Sequence, residues 1–134
     1  MAVDTGLGAV LTAIPGSWTG ATIGIDLHTT TIPTIDTSHL GTTTYREKKV
    51  GDLAEAGQVT LRLQFVDTVA PPVVGTVGTL TLTDANQATT GAIWGGTAII
   101  ISVNHGSREI DALNTLEVVI EWDGVTGPTF TLAT

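Results

Sequence analysis

Two segments of this chain place an apolar residue at every second position, and this pattern constrains the fold more than any other feature. In residues 58–65 the apolar side chains are Val59, Leu61, Leu63 and Phe65. In residues 116–123 they are Leu116, Val118, Ile120 and Trp122. Successive side chains of a β-strand point to opposite faces, so each segment is predicted to be a strand with one buried face.

Weaker signals of the same kind run along the rest of the chain. Candidate strands lie at residues 22–28, 32–37, 79–84 and 97–104, and a short final segment begins at Thr129. Residues 97–104 carry apolar side chains on both faces, which predicts a central strand. No long window has the period of an amphipathic helix. The chain is therefore predicted to be all-β, an antiparallel β-sandwich or barrel of six or seven strands with at most one short helix.

Two stretches lack alternation and are predicted to lie outside the sheet. Residues 1–20 are rich in small side chains and show no sustained period, which predicts an extended N-terminal arm. Residues 38–52 are predicted to form a long loop, because the strand pattern fails there. The length of 134 residues fits a single domain, residues 1–134, with a turn after Asp84 and another at residues 124–128.

The composition limits the classes of function. Thirteen acidic residues against five basic ones give a net charge of -8, the wrong sign for a protein that grips nucleic-acid phosphates. The chain has no cysteine, which excludes disulfides and thiolate metal sites. No run approaches the roughly 20 apolar residues that span a bilayer, and no Lys or Arg precedes Arg46. We expect a soluble, unprocessed chain with no membrane partner.

No motif has the spacing of a catalytic, metal or cofactor site. His28, His39 and His105 lack a second ligand two or four residues away, so they are predicted to be turn or surface histidines. Residues 84–89 begin like a calcium loop but lack its glycine and its third acidic position. No serine lies in a G-x-S-x-G motif, and no glycine-rich phosphate loop occurs. We therefore predict no enzymatic activity, no cofactor and no bound metal.

Two features leave alternatives open. Trp94, beside two glycines, is either a sugar-stacking platform or a filler of a core or interface. Glu117, Glu121 and Asp123 share one face of a predicted strand, and the first two are roughly 13 Å apart at the strand rise. That separation is too large for a glycosidase carboxylate pair. The plain interpretation of the three acids is a solvated outer face.

Several short motifs follow one another in a characteristic order between about residues 20 and 130. They occupy residues 35–41 (IDTSHLG), 45–47 (YRE), 50–61 (VGDLAEAGQVTL), 80–84, 95–111 and 116–128. In this order they resemble the tail tube proteins of long-tailed bacteriophages. Members of that family usually have a helix at the position of residues 67–78, but Pro71 and Pro72 oppose one here, so the helix is predicted to be lost or reduced to one turn.

The resemblance implies a structural virion protein, the major tail protein, which self-assembles into hexameric rings. The inner sheets of a ring join into one β-barrel, and the rings stack into a hollow tail tube for DNA ejection. It also implies partners such as the tape measure and tail terminator proteins, DNA that passes without specific binding, and assembly in the host cytoplasm. The alternatives are a tube protein of a gene transfer agent or injection device, and a stand-alone β-sandwich module that binds carbohydrate or decorates a capsid.

Two sets of residues receive roles from the resemblance. The loop that reaches the adjacent ring supplies candidate ring-stacking residues, namely Leu40, Tyr45, Arg46, Glu47, Lys48 and Lys49. Its cations are expected to meet carboxylates of the neighbouring subunit, whereas the plain alternative is a mobile solvated loop. The candidate lumen acids are Glu117, Glu121 and Asp123, which would repel DNA phosphates from a channel wall that offers them no cation.

Overall fold

The structure, a computed structural model, describes residues 9–16, 18, 21–84 and 91–133. These residues form β-strands and no helix, so the predicted all-β class is confirmed. The strands are β1 (Val10–Ala13), β2 (Thr22–Asp26), β3 (Thr34–Asp36), β4 (Lys48–Val50), β5 (Gln58–Gln64), β6 (Val77–Thr83), β7 (Ile93–Asn104), β8 (Thr115–Trp122) and β9 (Thr129–Thr131). The turn predicted after Asp84 lies outside the described residues.

Seven strands form one antiparallel sheet that curls into a half-barrel. Their order is β1-β6-β7-β8-β5-β2, and β9 pairs with the first residues of β7. The strand predicted to be central is β7, which lies between β6 and β8. Strands β3 and β4 form a separate two-stranded sheet. In the part of the chain that the structure describes, no helix is long and apolar enough to cross a membrane.

The core lies on one face of the curled sheet. Leu61 of β5 and Ile120 of β8 are fully buried, while their chain neighbours Arg62 and Glu121 are exposed. The predicted alternation in these two strands is therefore confirmed. Burial of each large apolar side chain is worth about 1.5–3 kcal/mol, which fixes the register of the strands. The buried apolar residues are Ile14, Trp18, Val59, Leu61, Leu63, Leu80, Leu82, Ala98, Ile100, Leu116, Val118, Ile120 and Trp122.

Two β-bulges change which residues face the core. In β2 the register shifts between Thr22 and Gly24, which leaves Ile23 half exposed while Ile25 packs against the core. In β7 it shifts between Ile100 and Ser102, so the core position passes from Ile100 to Val103. A bulge inserts one residue and reverses the alternation beyond it. The prediction that the apolar residues of 22–28 share one face is wrong for this reason.

The N-terminal segment belongs to the sheet rather than to a free arm. Strand β1 pairs antiparallel with β6, and Thr12 Oγ1 lies 3.0 Å from Thr83 Oγ1. Ile14 and Trp18 are buried in the core. The predicted N-terminal arm is therefore wrong for residues 9–16 and 18, because their apolar side chains gain more free energy in the core than on an external surface. Residues 1–8 lie outside the described part.

The predicted loop at 38–52 is shorter than expected. Its last part contains β4, which pairs antiparallel with β3, with Thr34 opposite Val50 and Asp36 opposite Lys48. The excursion between β2 and β5, residues 27–57, is therefore a hairpin with a loop at its tip, and we call it the hairpin arm. Residues 67–76 form turns without a helix, which confirms that Pro71 and Pro72 leave no helix there.

Candidate functional site

The hairpin arm leaves the sheet at the end of β2 and returns at the start of β5. Near the sheet its two legs are joined by a bridge in which Thr31 N–H donates to Glu55 O at 3.1 Å and Glu55 N–H donates to Thr31 O at 2.7 Å. Farther out, β3 and β4 pair only with each other, and all of their residues are exposed. An isolated two-stranded hairpin is only marginally stable in water, so this element lacks the second layer that supports the rest of the sheet.

Hydrogen bonds within the hairpin arm hold its tip in one shape. Thr37 N–H donates to Glu47 O at 2.8 Å, and Glu47 N–H donates to Ser38 Oγ at 2.7 Å. Asp36 Oδ1 accepts from Ser38 N–H at 2.9 Å, which closes the start of the loop. At the apex, Thr42 N–H donates to the carbonyl of His39 at 2.9 Å. These bonds satisfy the backbone of the tip from inside the loop.

Apolar side chains of the hairpin arm point into water. Leu40 is fully exposed at the apex, and Tyr45, five residues later in the same loop, is 84% exposed. Ile35 and Val50 on the paired strands are also exposed. Exposed apolar residues that are scattered singly are normal on protein surfaces, but here they lie on an element with no apolar layer behind it. This surface is therefore a candidate contact site.

The charged residues predicted for ring stacking fall into two groups. Arg46 Nη1 donates to Asp36 Oδ2 at 2.8 Å, so this cation is already paired within the hairpin arm. Hydrogen bonds from Ser38, and then the Arg46 guanidinium, hold the pKa of the Asp36 carboxyl below its usual value. Lys48 and Lys49 occupy adjacent positions of β4, so they point to opposite faces of the hairpin. Neither lysine lies within ion-pair distance of an acid among the described residues.

The candidate lumen acids do not form one set. Glu117 and Glu121 are exposed on the outer face of β8, but Asp123 lies beyond the end of that strand. Asp123 Oδ1 accepts hydrogen bonds from the N–H groups of Val125 at 2.9 Å and Thr126 at 3.1 Å. Hydrogen bonds from Thr126 and then Val125 lower the pKa of Asp123. The prediction that Asp123 extends the row of free carboxylates is wrong, because its carboxylate caps the following turn.

Strand pairing adds two residues to the outer face that the sequence pattern did not single out. Asp26 of β2 lies opposite Thr60, on the same face as Glu117, and supplies a third exposed carboxylate. Arg62 of β5 lies directly opposite Glu117, so the expectation of a face without cations is wrong. The Arg62 guanidinium lies over Gly24, where an added Cβ would meet its Nη2 at 2.5 Å. The register between strands brings Asp26 and Arg62 to the face of Glu117, and no local sequence motif indicates that register.

The root of the hairpin arm contains an aromatic cluster built around His28. Its ring meets Trp94 and Trp122 edge-on, with centroid distances of 4.9 and 5.7 Å, and Trp94 also packs against Phe130 at 4.8 Å. His28 Nδ1 and Trp122 Nε1 are buried and have no hydrogen-bond partner within the described ranges. Burial lowers the pKa of His28. The prediction that His28 is a turn or surface histidine is right only in part: His28 lies outside the strands, but it is half-buried against two tryptophans of neighbouring strands.

Two depressions border this region. A cleft of about 320 Å³ lies between the two legs of the hairpin arm, Trp94 and the turn at residues 124–128. A larger groove of about 550 Å³ separates the two free edges of the half-barrel, between β2 and the ends of β1 and β6. Arg62 and Asp84 are its charged lining residues. The groove follows from the topology, because β1 and β2 are the outermost strands of the sheet.

Comparison with known proteins adds no family assignment. No protein-family model matches this chain, and a search of curated proteins finds no significant match. In residues 9–16, 18, 21–84 and 91–133, no three His, Asp or Glu side chains come together as metal ligands would. The hairpin arm and the outer face of the sheet are the candidate functional surfaces on the strength of their own geometry.

Proposed function

We propose that this chain is a structural protein, the tube protein of a bacteriophage tail or of a related injection device, whose copies assemble into stacked hexameric rings around a channel for DNA. The hairpin arm is the observation that carries the proposal. Its strands pair only with each other, and its apolar tip lies in water. Such a hairpin gains stability when a partner covers it, which is what a contact between rings supplies. Hexamers and ring stacking themselves come from the resemblance of the sequence motifs.

The open half-barrel supports lateral association within a ring. Strands β1 and β2 end the sheet and leave one row of backbone groups unpaired on each side. Val10 on β1 and Ile23 on β2 are at least half exposed. Free strand edges of this kind pair readily with another chain. A ring would cover both edges of every subunit if the β1 edge of one copy paired with the β2 edge of the next copy.

The charge of the outer face suits a channel wall. Asp26, Glu117 and Glu121 against Arg62 give this face a formal charge of -2 per subunit, three acids minus one base. Around a channel, six subunits would contribute -12, with the number of subunits taken from the family. Fields from such a wall repel phosphates over roughly 8 Å at physiological salt. DNA would then pass without a strong binding site.

A carbohydrate-binding module is the competing function, and Trp94 is its best candidate residue. Trp94 packs against both His28 and Phe130 in the aromatic cluster. An open stacking platform needs a free ring face and several converging polar groups. The packing of Trp94 is more typical of a residue that joins β7 to β9 and to the root of the hairpin arm.

The assembly state of purified protein tests the proposed function. Light scattering after size exclusion, at rising concentration, is expected to show hexamers and then longer particles, because ring and stack contacts depend on concentration. Negative-stain microscopy should show rings or tubes of constant diameter. A monomer at every concentration and salt level would contradict the proposal and favour the binding module.

A second experiment tests the channel wall. Replacing Glu117 and Glu121 by Lys should leave tubes intact, because both side chains are exposed and distant from the core. Release of DNA through tubes with the reversed charge should be slower, since phosphates would dwell on the new cations. Release at the wild-type rate from well-formed tubes would place this face on the outside of the tube.

A further inference from the structure

The groove of about 550 Å³ between the free edges of the half-barrel has the shape of a site for one more strand. β2 pairs only with β5, and β1 pairs only with β6, in the part of the chain that the structure describes. In an antiparallel ladder the backbone groups of alternate residues point to the partner strand, so the remaining N–H and C=O groups of β2 point into the groove. The five residues of β2 offer an edge roughly 17 Å long.

The walls of the groove are apolar on the side of the core. Ile25 of β2 packs against the core, and Leu82 of β6 is 2% exposed. Ile23 and Leu27 remain 50% and 42% exposed. All four side chains line the groove. An occupant with apolar side chains on its inward face would remove this surface from water, which is the main source of free energy in such pockets.

Arg62 gives the groove a cation in a defined position. Glu117 is its cross-strand neighbour in β8, yet Arg62 forms no ion pair with an acid among the described residues. Its guanidinium lies over Gly24 on the other side, where an added Cβ would meet Nε at 2.8 Å and Cζ at 3.0 Å. Because Gly24 has no side chain, the guanidinium can cross β2 and line the groove.

This position of Arg62 favours an acidic residue on a strand bound beside β2. Neighbouring strands lie about 4.8 Å apart, so such a strand lies roughly 9.6 Å from β5. A long side chain reaches beyond its direct neighbour when the strand between carries no side chain at that point. A carboxylate on the outward face of the bound strand would then accept hydrogen bonds from the guanidinium, which is the geometry of a bidentate pair.

We propose that the groove is an acceptor site for an extended peptide of another protein, with apolar side chains at alternate positions and an acidic residue between them. The peptide pairs with the β2 edge, its apolar side chains face Ile25 and Leu82, and its carboxylate faces Arg62. Main-chain hydrogen bonds supply affinity in such strand addition, and the side chains supply specificity. Asp84 lines the β6 wall without an ion pair to Arg62, so the acid of the peptide belongs on the β2 side.

The β1 edge of a second copy matches the groove less completely. Its sequence, VLTA, offers backbone groups and apolar side chains but no acid for Arg62. The acceptor site therefore does not depend on the proposed tube. The two are linked in one respect, because the β2 edge also takes part in the proposed ring contact and pairs with one strand at a time. A partner that carries such a peptide would hold the chain as a single subunit until the peptide is released.

Short synthetic peptides test the site on the full-length chain, at concentrations that keep it monomeric. The probe is Thr-Val-Asp-Val-Thr, acetylated, amidated and labelled with a fluorophore, and the matched control has Asn in place of Asp. Fluorescence anisotropy should show about two- to fivefold tighter binding of the Asp peptide, the range that exposed ion pairs give. In the complex, amide exchange should slow in β2 and stay unchanged in β3, whose residues are all exposed and distant from the groove edge in the sheet order.

Three variants separate the contact of the acid from effects on fold and net charge. Arg62→Gln should abolish the preference for the Asp peptide and leave binding of the Asn peptide unchanged. Gly24→Ala should do the same, because the new Cβ displaces the guanidinium. Lys49→Gln removes an exposed cation outside the groove and should keep the preference. Arg62→Glu should reverse it, so that Thr-Val-Lys-Val-Thr binds more tightly than the Asp peptide.

The outcomes separate this site from the proposed function. No binding of either peptide, or binding without protection of β2, would overturn the acceptor site. Equal binding of the Asp and Asn peptides to the wild-type chain, or a preference that Lys49→Gln also removes, would overturn the assigned chemistry of the peptide. A chain that forms tubes but binds no peptide leaves the proposed function in place, whereas a chain that binds the Asp peptide and never assembles leaves the acceptor site in place.

Discussion

The body of the sheet and the hairpin arm are both built from paired antiparallel strands, but only the body buries one face of its strands. In the body, Leu61 of β5 lies opposite Val118 of β8, and both side chains are fully buried. In the hairpin arm, Thr34 lies opposite Val50 and Ile35 opposite Lys49, and all four are exposed. The half-barrel folds its strands around one shared core, whereas the hairpin has no second layer to pack against.

This difference divides two tasks between two regions. The body supplies the free energy of folding, because almost all of its apolar core lies within the seven-stranded sheet. The hairpin arm contributes little to that core, and its tip displays the exposed side chains of Leu40 and Tyr45. A region that contributes little to the stability of the monomer can carry the contacts of an assembly without conflict between the two roles. The predictions below test that division.

The largest expected effect comes from truncating matched leucines in the two regions. Leu61→Ala should lower the free energy of unfolding by about 2–5 kcal/mol, because it leaves a cavity in the core. Leu40→Ala should change the free energy of unfolding of the monomer by less than about 0.5 kcal/mol, since Leu40 is fully exposed. Urea unfolding at a concentration that keeps the chain monomeric measures both. Similar losses in the two variants would show that the hairpin arm is part of the folding core.

Two glycines sharpen the comparison: Gly57 lies where the hairpin arm returns to the sheet, and Gly75 lies in the loop before β6. Gly57 and Gly75 have φ angles of +93° and +90°, so Ala costs about 1–2 kcal/mol at either position. At Gly57 the new Cβ would also meet the Thr29 carbonyl oxygen, whereas at Gly75 it would meet nothing within 4 Å. Gly57→Ala should therefore destabilise the chain more and speed amide exchange across the root of the hairpin arm. Equal losses of unfolding free energy in the two variants would mean that the root of the hairpin arm accommodates the new Cβ without further destabilisation.

The aromatic cluster at the same root gives a smaller, pH-dependent effect. Burial lowers the pKa of His28 below its ordinary value of 6.5, so the unfolded chain binds a proton before the folded chain does. The free energy of unfolding should be highest above pH 6.5 and should fall as the pH drops from there through the folded pKa. His28→Gln should remove this decline, while His105→Gln, at an exposed position, should keep it. A decline that survives in His28→Gln would assign the titration to another group.

The smallest effect is expected for the ion pair within the hairpin arm. Arg46 and Asp36 are joined at 2.8 Å, but both side chains are exposed, so water and salt screen their attraction. Arg46→Gln should leave the free energy of unfolding of the monomer unchanged within experimental error at low and at high salt. A clear loss at low salt alone would show that this pair stabilises the hairpin arm more than exposed pairs usually do.

The sequence by itself determined the class of fold and its best strands. The period of two in residues 58–65 and 116–123 is a local property, and burial of one face is sufficient to fix which side chains point inward. Residues 38–52 were predicted to be one loop, and the resemblance assigned ring stacking to Leu40 and to residues 45–49 within it. The sequence could not indicate β4 within them, since Lys48, Lys49 and Val50 are exposed and show no alternation.

Only the tertiary structure decided which distant residues meet. A one-residue bulge in β2 places Asp26 on the face of Glu117, and the register of β5 against β8 sets Arg62 opposite the same carboxylate. His28 is half-buried because strands far apart in sequence bring Trp94 and Trp122 to it. Register and strand order depend on the free energy of the whole sheet, so no short window of sequence contains them. The same pairing places the return of the hairpin arm at Gln58 and the loop before Thr115 at opposite ends of β8.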